Sequence, residues 1–189
     1  MNIFYLHENP TVAAQMQCDA HVVKMVIESA QMLSTAHRML DGDEYYELSA
    51  NGRRRVKRWR LNDDREHILY KAVHMNHPCT VWTRENSANY LWHYEHFVAL
   101  CQEFTHRYNK SHKTDMLLRE PLAQLPQNIK LSDTMTKPAL AIEEQCKTEP
   151  TAVEAYRRFY ETKQRRFAMR WTNRHVPDWF NFYDKACVT

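Results

Sequence analysis

His21, Lys24, Glu28 and Gln31 stand three, four and three residues apart in the stretch CDAHVVKMVIESAQ, Cys18 to Gln31. On a helix at 100° per residue they fall, with Thr35, within an arc of about 80°. An amine and a carboxylate one turn apart can do two kinds of work. In solvent, Lys24 and Glu28 form an ion pair worth tenths of a kcal/mol. In a cleft, the carboxylate steadies a developing positive charge or moves protons. The amine can then form a Schiff base, which calls for burial that disfavours its charged form. Val22, Val23, Val26, Ile27, Ala30 and Leu33 are expected on the opposite side, with Met25, Met32 and Met39 along the border of the polar line. That pattern describes a mostly buried helix carrying a polar seam. From spacing alone, a solvated face remains the commoner case.

Two further groups could do chemistry. Cys18-x2-His21 and His74-x2-His77 together make a ligand set for one zinc or iron ion. The plainer reading is that His74, Asn76 and His77 cap the helix that begins at Pro78. The run RRRVKRWR supplies Arg53, Arg54, Arg55, Lys57, Arg58 and Arg60 around Trp59. Cations mixed with an indole suit phosphates and stacked bases. Arg157, Arg158, Lys163, Arg165, Arg166 and Arg170 add a second basic segment, followed by Trp171 and Arg174. A nucleic-acid partner is expected from the two segments, although a solvated loop or another phosphate-rich partner would also account for them. The chain lacks a glycine-rich phosphate loop, a nucleophile elbow and CxxC ribbons, which disfavours ATP-driven and serine-hydrolase chemistry.

The elements that must position these groups read as helices. The chain has 189 residues, suited to a single domain over 1–189, and only two glycines, Gly42 and Gly52. Hairpins and sheet corners usually need more, so the expectation is an all-α compact domain of about five to seven helices. A helical pattern starts at Asn9-Pro10 and runs to about Leu40, bent near Cys18. Residues 41–62 read as a polar connection, and a short helix is expected from Asn62 or Asp63 to Val73. Pro78 begins another. Ser87 caps what reads as the longest helix, to about Lys110, on the spacing of Tyr90, Tyr94, Phe97, Cys101, Phe104 and Tyr108. Helices are expected over 112–124 and 151–170, with a long ordered loop at 126–150 between them. Five scattered cysteines, no leader-like start and no apolar run of membrane length suggest free thiols and an intracellular, non-membrane setting.

Three stretches carry a resemblance. CDAHVVKMVIESAQMLSTAHRML, then LYKAVHMNHPCTVWTRENSANYLWHYEHFVALCQEFTHRYNKSHKT, then RFAMRWTNRHVPDWF resemble a family of small proteins from tailed bacteriophages, over nearly the whole chain. More distantly, the chain is similar to the phage pyrimidine-dimer DNA glycosylase/AP lyase. That resemblance aligns Asp19 and His21 with the start of an early helix and puts the catalytic carboxylate on Glu28 without a gap. It implies an all-helical fold and a long aromatic helix over Tyr90 to Tyr108. In that enzyme the N-terminal α-amine, freed by removal of Met, attacks the sugar C1′. Here residue 2 is Asn, bulky enough that Met1 should be kept, and two arginines flanking the carboxylate are replaced by Ile27 and Gln31.

The leading expectation is therefore a phage DNA base-processing enzyme of N-glycosylase type, with or without AP-lyase activity, acting in the cytoplasm of the infected host. Glu28, Lys24, His21 and His77 are its expected catalytic groups. Gln31, His74, Asn76 and Trp82 would line the pocket, and Arg53 to Arg60 with Arg165, Arg166 and Arg170 would hold DNA. Trp59 or Trp82 would fill the gap left by a flipped base. No cofactor is needed on this reading. A metal-dependent enzyme acting on a nucleotide or modified base, using Cys18, His21, His74 and His77, is the alternative. A non-catalytic nucleic-acid-binding or anti-host phage protein is the third. The substrate base and the oligomeric state are left open.

Overall fold

A computed structural model describes residues 1–183. Among them, seven α-helices and one two-stranded sheet form a mostly helical single domain. Helix α1 (Pro10–Gln15) starts on Asn9, whose side chain accepts from the Thr11 and Val12 N–H groups. The expected bend near Cys18 is a break: α2 (Asp19–Asp41) begins afresh, and at 23 residues it is longer than α5. α3 (Arg65–Ile68) covers only part of the helix expected there. α4 (Pro78–Thr83) is capped by His77, which accepts from the Cys79 N–H at 3.2 Å. α5 (Ser87–Tyr108) is capped by Asn86 rather than Ser87, and stops where Asn109 turns left-handed. α6 (Lys113–Ala123) follows. The loop after it holds one short 3-10 turn at Glu144–Cys146. α7 (Ala152–Glu161) opens with a Thr151/Glu154 capping box and passes into a 3-10 turn, Thr162–Arg165.

The connection expected over 41–62 is instead a hairpin. β1 (Asp43–Leu48) pairs antiparallel with β2 (Arg55–Arg60), Asp43 opposite Arg60 and Leu48 opposite Arg55. The fold is therefore not purely α. Both glycines serve this hairpin. Gly52 takes φ +67 in its turn. At Gly42 a Cβ would meet the Arg38 and Arg60 carbonyl oxygens at 2.6 and 2.9 Å, so only glycine lets the chain leave α2 there. Arg38, itself buried, donates to the carbonyls of Trp59, Glu66, Leu69 and Tyr70 and to the Glu66 carboxylate, fixing the hairpin to α2.

α5 packs along α1 and α2, and α2 also meets α4 and α6. The N-terminal segment runs through the core, with Ile3, Phe4, Tyr5 and Leu6 all buried. The α2 face is rotated from expectation: Met25 is buried, whereas Val23 and Ile27 are 39% and 40% exposed. Among the described residues no helix is long and apolar enough to cross a membrane.

A buried ion cluster joins three distant segments. Glu103 on α5 accepts from Arg107 at 2.7 Å and from Arg174 at 2.9 Å. Arg107 also donates to Asp19 at 2.9 Å, and Asp19 accepts from the Thr172 N–H and hydroxyl. Removing one member leaves uncompensated buried charge, which typically costs about 3–5 kcal/mol. Glu103→Ala should lower the unfolding free energy by about that amount in urea titrations; a loss below about 1 kcal/mol would mean the cluster is a spectator.

Candidate active site

A cavity of about 290 Å³ opens where the N-terminal segment, the middle of α2 and the end of α7 meet. Its wall includes Met1, Phe4, His21, Lys24, Glu28, Phe159, Lys163, Arg166 and Phe167. The polar line of α2 thus faces a cleft along part of its length. The Glu28 side chain is 12% exposed, with Lys24 Nζ 3.1 Å from Oε1 and the Met1 α-amine 3.5 Å from Oε2. Two amines therefore hold one carboxylate that is itself mostly withdrawn from water, where Coulomb attraction is stronger than at a fully exposed surface.

The Met1 amine is fixed by its neighbour. Asn2 is buried; its side chain donates to the Ala141 carbonyl and accepts from the Phe4 N–H. Phe4 itself sits at φ 42, a region where a bulky residue costs on the order of 1–3 kcal/mol. In return its ring lies 4.5 Å from that of His21.

His21 is held as a neutral base. Burial, then the charges of Lys24 and Lys163, push its pKa down to about 3. The Cys18 N–H donates to the Tyr160 hydroxyl at 2.8 Å. The same hydroxyl, which burial keeps protonated, lies 2.7 Å from His21 Nδ1. Where it donates to Nδ1, the imidazole proton sits on Nε2 and the ring is an uncharged donor.

Lys163, in the 3-10 turn after α7, is 8% exposed. Its Nζ stands 3.4 Å from the centre of the Phe159 ring, and among the described residues it makes no ion pair with a carboxylate. Burial, then Arg166, lower its pKa; Glu143 works the other way.

No protein-family model, curated protein or solved structure matches this chain in comparisons with each. The site is thus read from its own geometry.

The other expected residues are distributed as follows. Gln31 is half-buried one turn beyond Glu28 and outside the cavity wall. His77, the α4 cap, lies close enough for the Met1 amine and Glu28 to act on it electrostatically, and burial lowers its pKa. His74, at φ 48, and Asn76 are exposed. Cys18 Sγ lies 3.6 Å from His21 Nδ1, but among the described residues no group of three or more His, Cys, Asp or Glu side chains could hold a metal ion. His74 and His77 do not join that pair. Trp82 is buried and donates to the Thr136 carbonyl, and Trp59 is buried on β2, so neither indole is free to enter a duplex. Lys24 is 65% exposed, which removes the burial that a Schiff-base role for it requires. Arg166 lines the cavity, while Arg165 and Arg170 are exposed nearby in sequence.

In the hairpin, Lys57 pairs with Glu44 and Arg58 with Glu47. Arg55 and Arg60 lie over the Tyr46 and Tyr45 rings, and Arg53 and Arg54 are exposed. The sequence reading missed Met1, Phe4 and the Phe159 and Phe167 walls, and assigned Lys163 only to a basic segment. Chain separations of more than a hundred residues carry no periodic signal that could have joined them.

Four histidines are kept neutral mainly by burial, His21 and His93 at about 3 and His37 and His96 at about 4. In the unfolded chain each titrates near 6.5. Between those values the unfolded state binds more protons, so their contribution is complete above pH 6.5 and is lost as pH falls towards about 4. The urea midpoint should fall steadily from pH 7 to pH 5, and the ring protons of these four histidines should show no titration step over that range. A step near pH 6.5 from any of them would contradict the assignment.

Proposed function

We propose that the protein is a DNA base-processing enzyme of N-glycosylase type, encoded by a tailed bacteriophage and working on damaged or modified bases in the infected host's cytoplasm. The observation that supports this most is Glu28, held between the Met1 amine and Lys24 in a cavity with aromatic walls and a cationic rim. As an N-glycosidic bond breaks, the base leaves with the bonding pair and positive charge grows on the sugar. A fixed carboxylate beside C1′ stabilises that charge. The neutral imidazole of His21 donates a hydrogen bond from Nε2–H to the departing base. A cavity of about 290 Å³ suits one extruded nucleoside, near the lower end of small-ligand sites.

A base in a duplex must be flipped out to enter. Lys24 and Arg166 suit the flanking phosphates. The hairpin follows the end of α2, thirteen residues or about 20 Å from Glu28 along the helix. That is about six base pairs of one duplex. Arg53, Arg54, Arg55 and Arg60 there lack carboxylate partners among the described residues.

Glu28→Gln keeps the shape and removes the charge. Base release from duplexes carrying oxidised, alkylated or dimerised bases should drop at least about 100-fold, while duplex affinity changes only a few-fold. Release by the wild-type protein from none of these substrates would overturn the reading. Separately, replacing Arg53, Arg54, Arg55 and Arg60 by Gln should weaken duplex binding evenly across sequences. It should also flatten the salt dependence by up to about one unit of slope per lost phosphate contact. An unchanged slope would remove the hairpin from the interface.

A further inference from the structure

Resting on the glycosylase reading, we propose that Lys163, not Lys24, is the side-chain amine that forms an imine with the sugar in this cavity. Three amines border it. Lys24 is 65% exposed and paired with Glu28. The Met1 amine is also paired with Glu28. Lys163 is 8% exposed, makes no ion pair with a carboxylate among the described residues, and rests against the Phe159 ring at 3.4 Å. It faces Arg166 and Lys24 as like charges, with Glu143 and Cys146 acting in the opposite sense. Desolvation next to other cations is the known way to keep a lysine unprotonated and nucleophilic near neutral pH. A ring face partly compensates the protonated form without supplying an acceptor that would hold it charged.

The chemistry balances without an oxidant or reductant. The neutral Nζ attacks the C1′ aldehyde of an open-chain abasic deoxyribose, and the C–N bond forms as the carbonyl π pair moves to oxygen. The carbonyl oxygen leaves as water, taking two protons that include those lost from Nζ. The product is a C=N imine on Lys163. Glu28, which lines the same cavity, is the carboxylate available there to pass one of those protons and to stabilise the iminium form.

The test is borohydride trapping of the full chain on a duplex with one abasic site, followed by peptide mapping of the adduct. Borohydride reduces the imine to a stable amine, so the mapped residue is the nucleophile. The expected result is an adduct on Lys163. Lys163→Arg, which keeps charge and size, should lower trapping at least 100-fold with its unfolding midpoint and duplex affinity retained. In Lys24→Ala, which loses a phosphate contact and the Glu28 pair, the adduct that is trapped should still map to Lys163. An adduct on Lys24 or on the Met1 α-amine, with Lys163→Arg trapping normally, overturns the assignment. Glu28-dependent base release without any adduct overturns the imine and leaves the glycosylase reading standing. Neither release nor adduct overturns both.

Discussion

The arrangement around the cavity depends on one hydroxyl. Tyr160 is fully buried on α7, and its oxygen bridges the Cys18 N–H and His21 Nδ1 at the start of α2. The Cys18 N–H precedes the first turn of α2 and would otherwise be an unpaired buried donor, a loss of about 1–3 kcal/mol. By satisfying it, Tyr160 ties α7 to α2 and holds the His21 imidazole at the same time. Lys163 lies three residues beyond Tyr160, so that tie also brings it to the cavity that Glu28 lines. The Phe4 ring, edge-on to Tyr160 at 5.1 Å, closes the contact from the N-terminal side. Three segments far apart in sequence thus become one site through a single polar atom and the aromatic rings around it.

Charge inside the cavity is then a matter of counting. Glu28 carries one negative charge against the Met1 amine, Lys24, Lys163 and Arg166. An excess of positive groups around one carboxylate is tolerated because Lys24 and Arg166 reach solvent. Lys163 cannot, and its depressed pKa is the consequence. The same excess suits a polyanion, which would supply the missing negative charge on binding. By contrast, the Glu103–Arg107–Asp19–Arg174 cluster is internally compensated and joins structural segments. Composition gives the same residue types in both places; only the pairing separates the site from the scaffold.

The helical elements were legible because their signals are local. Asn9-Pro10, His77-Pro78 and the aromatic spacing of α5 each act within one or two turns. Glu28 and Lys24 were legible as a pair for the same reason. The hairpin was not, since scarcity of glycine argued against any sheet, yet a single hairpin needs only Gly42 and Gly52. The orientation of α2 was also illegible. Val23 and Ile27 look like core by type, but the N-terminal segment and α7 cover the neighbouring arc instead. Trp59, from its basic neighbours, and Trp82, as a pocket residue, were expected to fill the gap left by a flipped base. Their burial follows from β2 packing toward α2 and from Trp82 meeting Trp92 on α5 at 5.9 Å.

The placement of strain and of basic residues follows one logic. Of the described non-glycine residues at positive φ, Phe4, His74, Asn109 and Asn173, Phe4 is the one that lines the cavity, and its ring is held by His21, Phe159 and Tyr160. Such a conformation persists only when surrounding contacts over-determine it. The hairpin, by comparison, presents its cations on a two-stranded ribbon tied to the body mainly through Arg38. On the proposed function, the ribbon would meet a phosphate backbone whose geometry varies with sequence, whereas chemistry at C1′ would tolerate little displacement. A fixed Glu28 and the hairpin cations Arg53 to Arg55 would then serve that proposed function from separate places. The Tyr160 tie at Cys18 fixes the start of α2, from which Glu28 follows near its middle, and the glycine exit at Gly42 sends the hairpin off its far end.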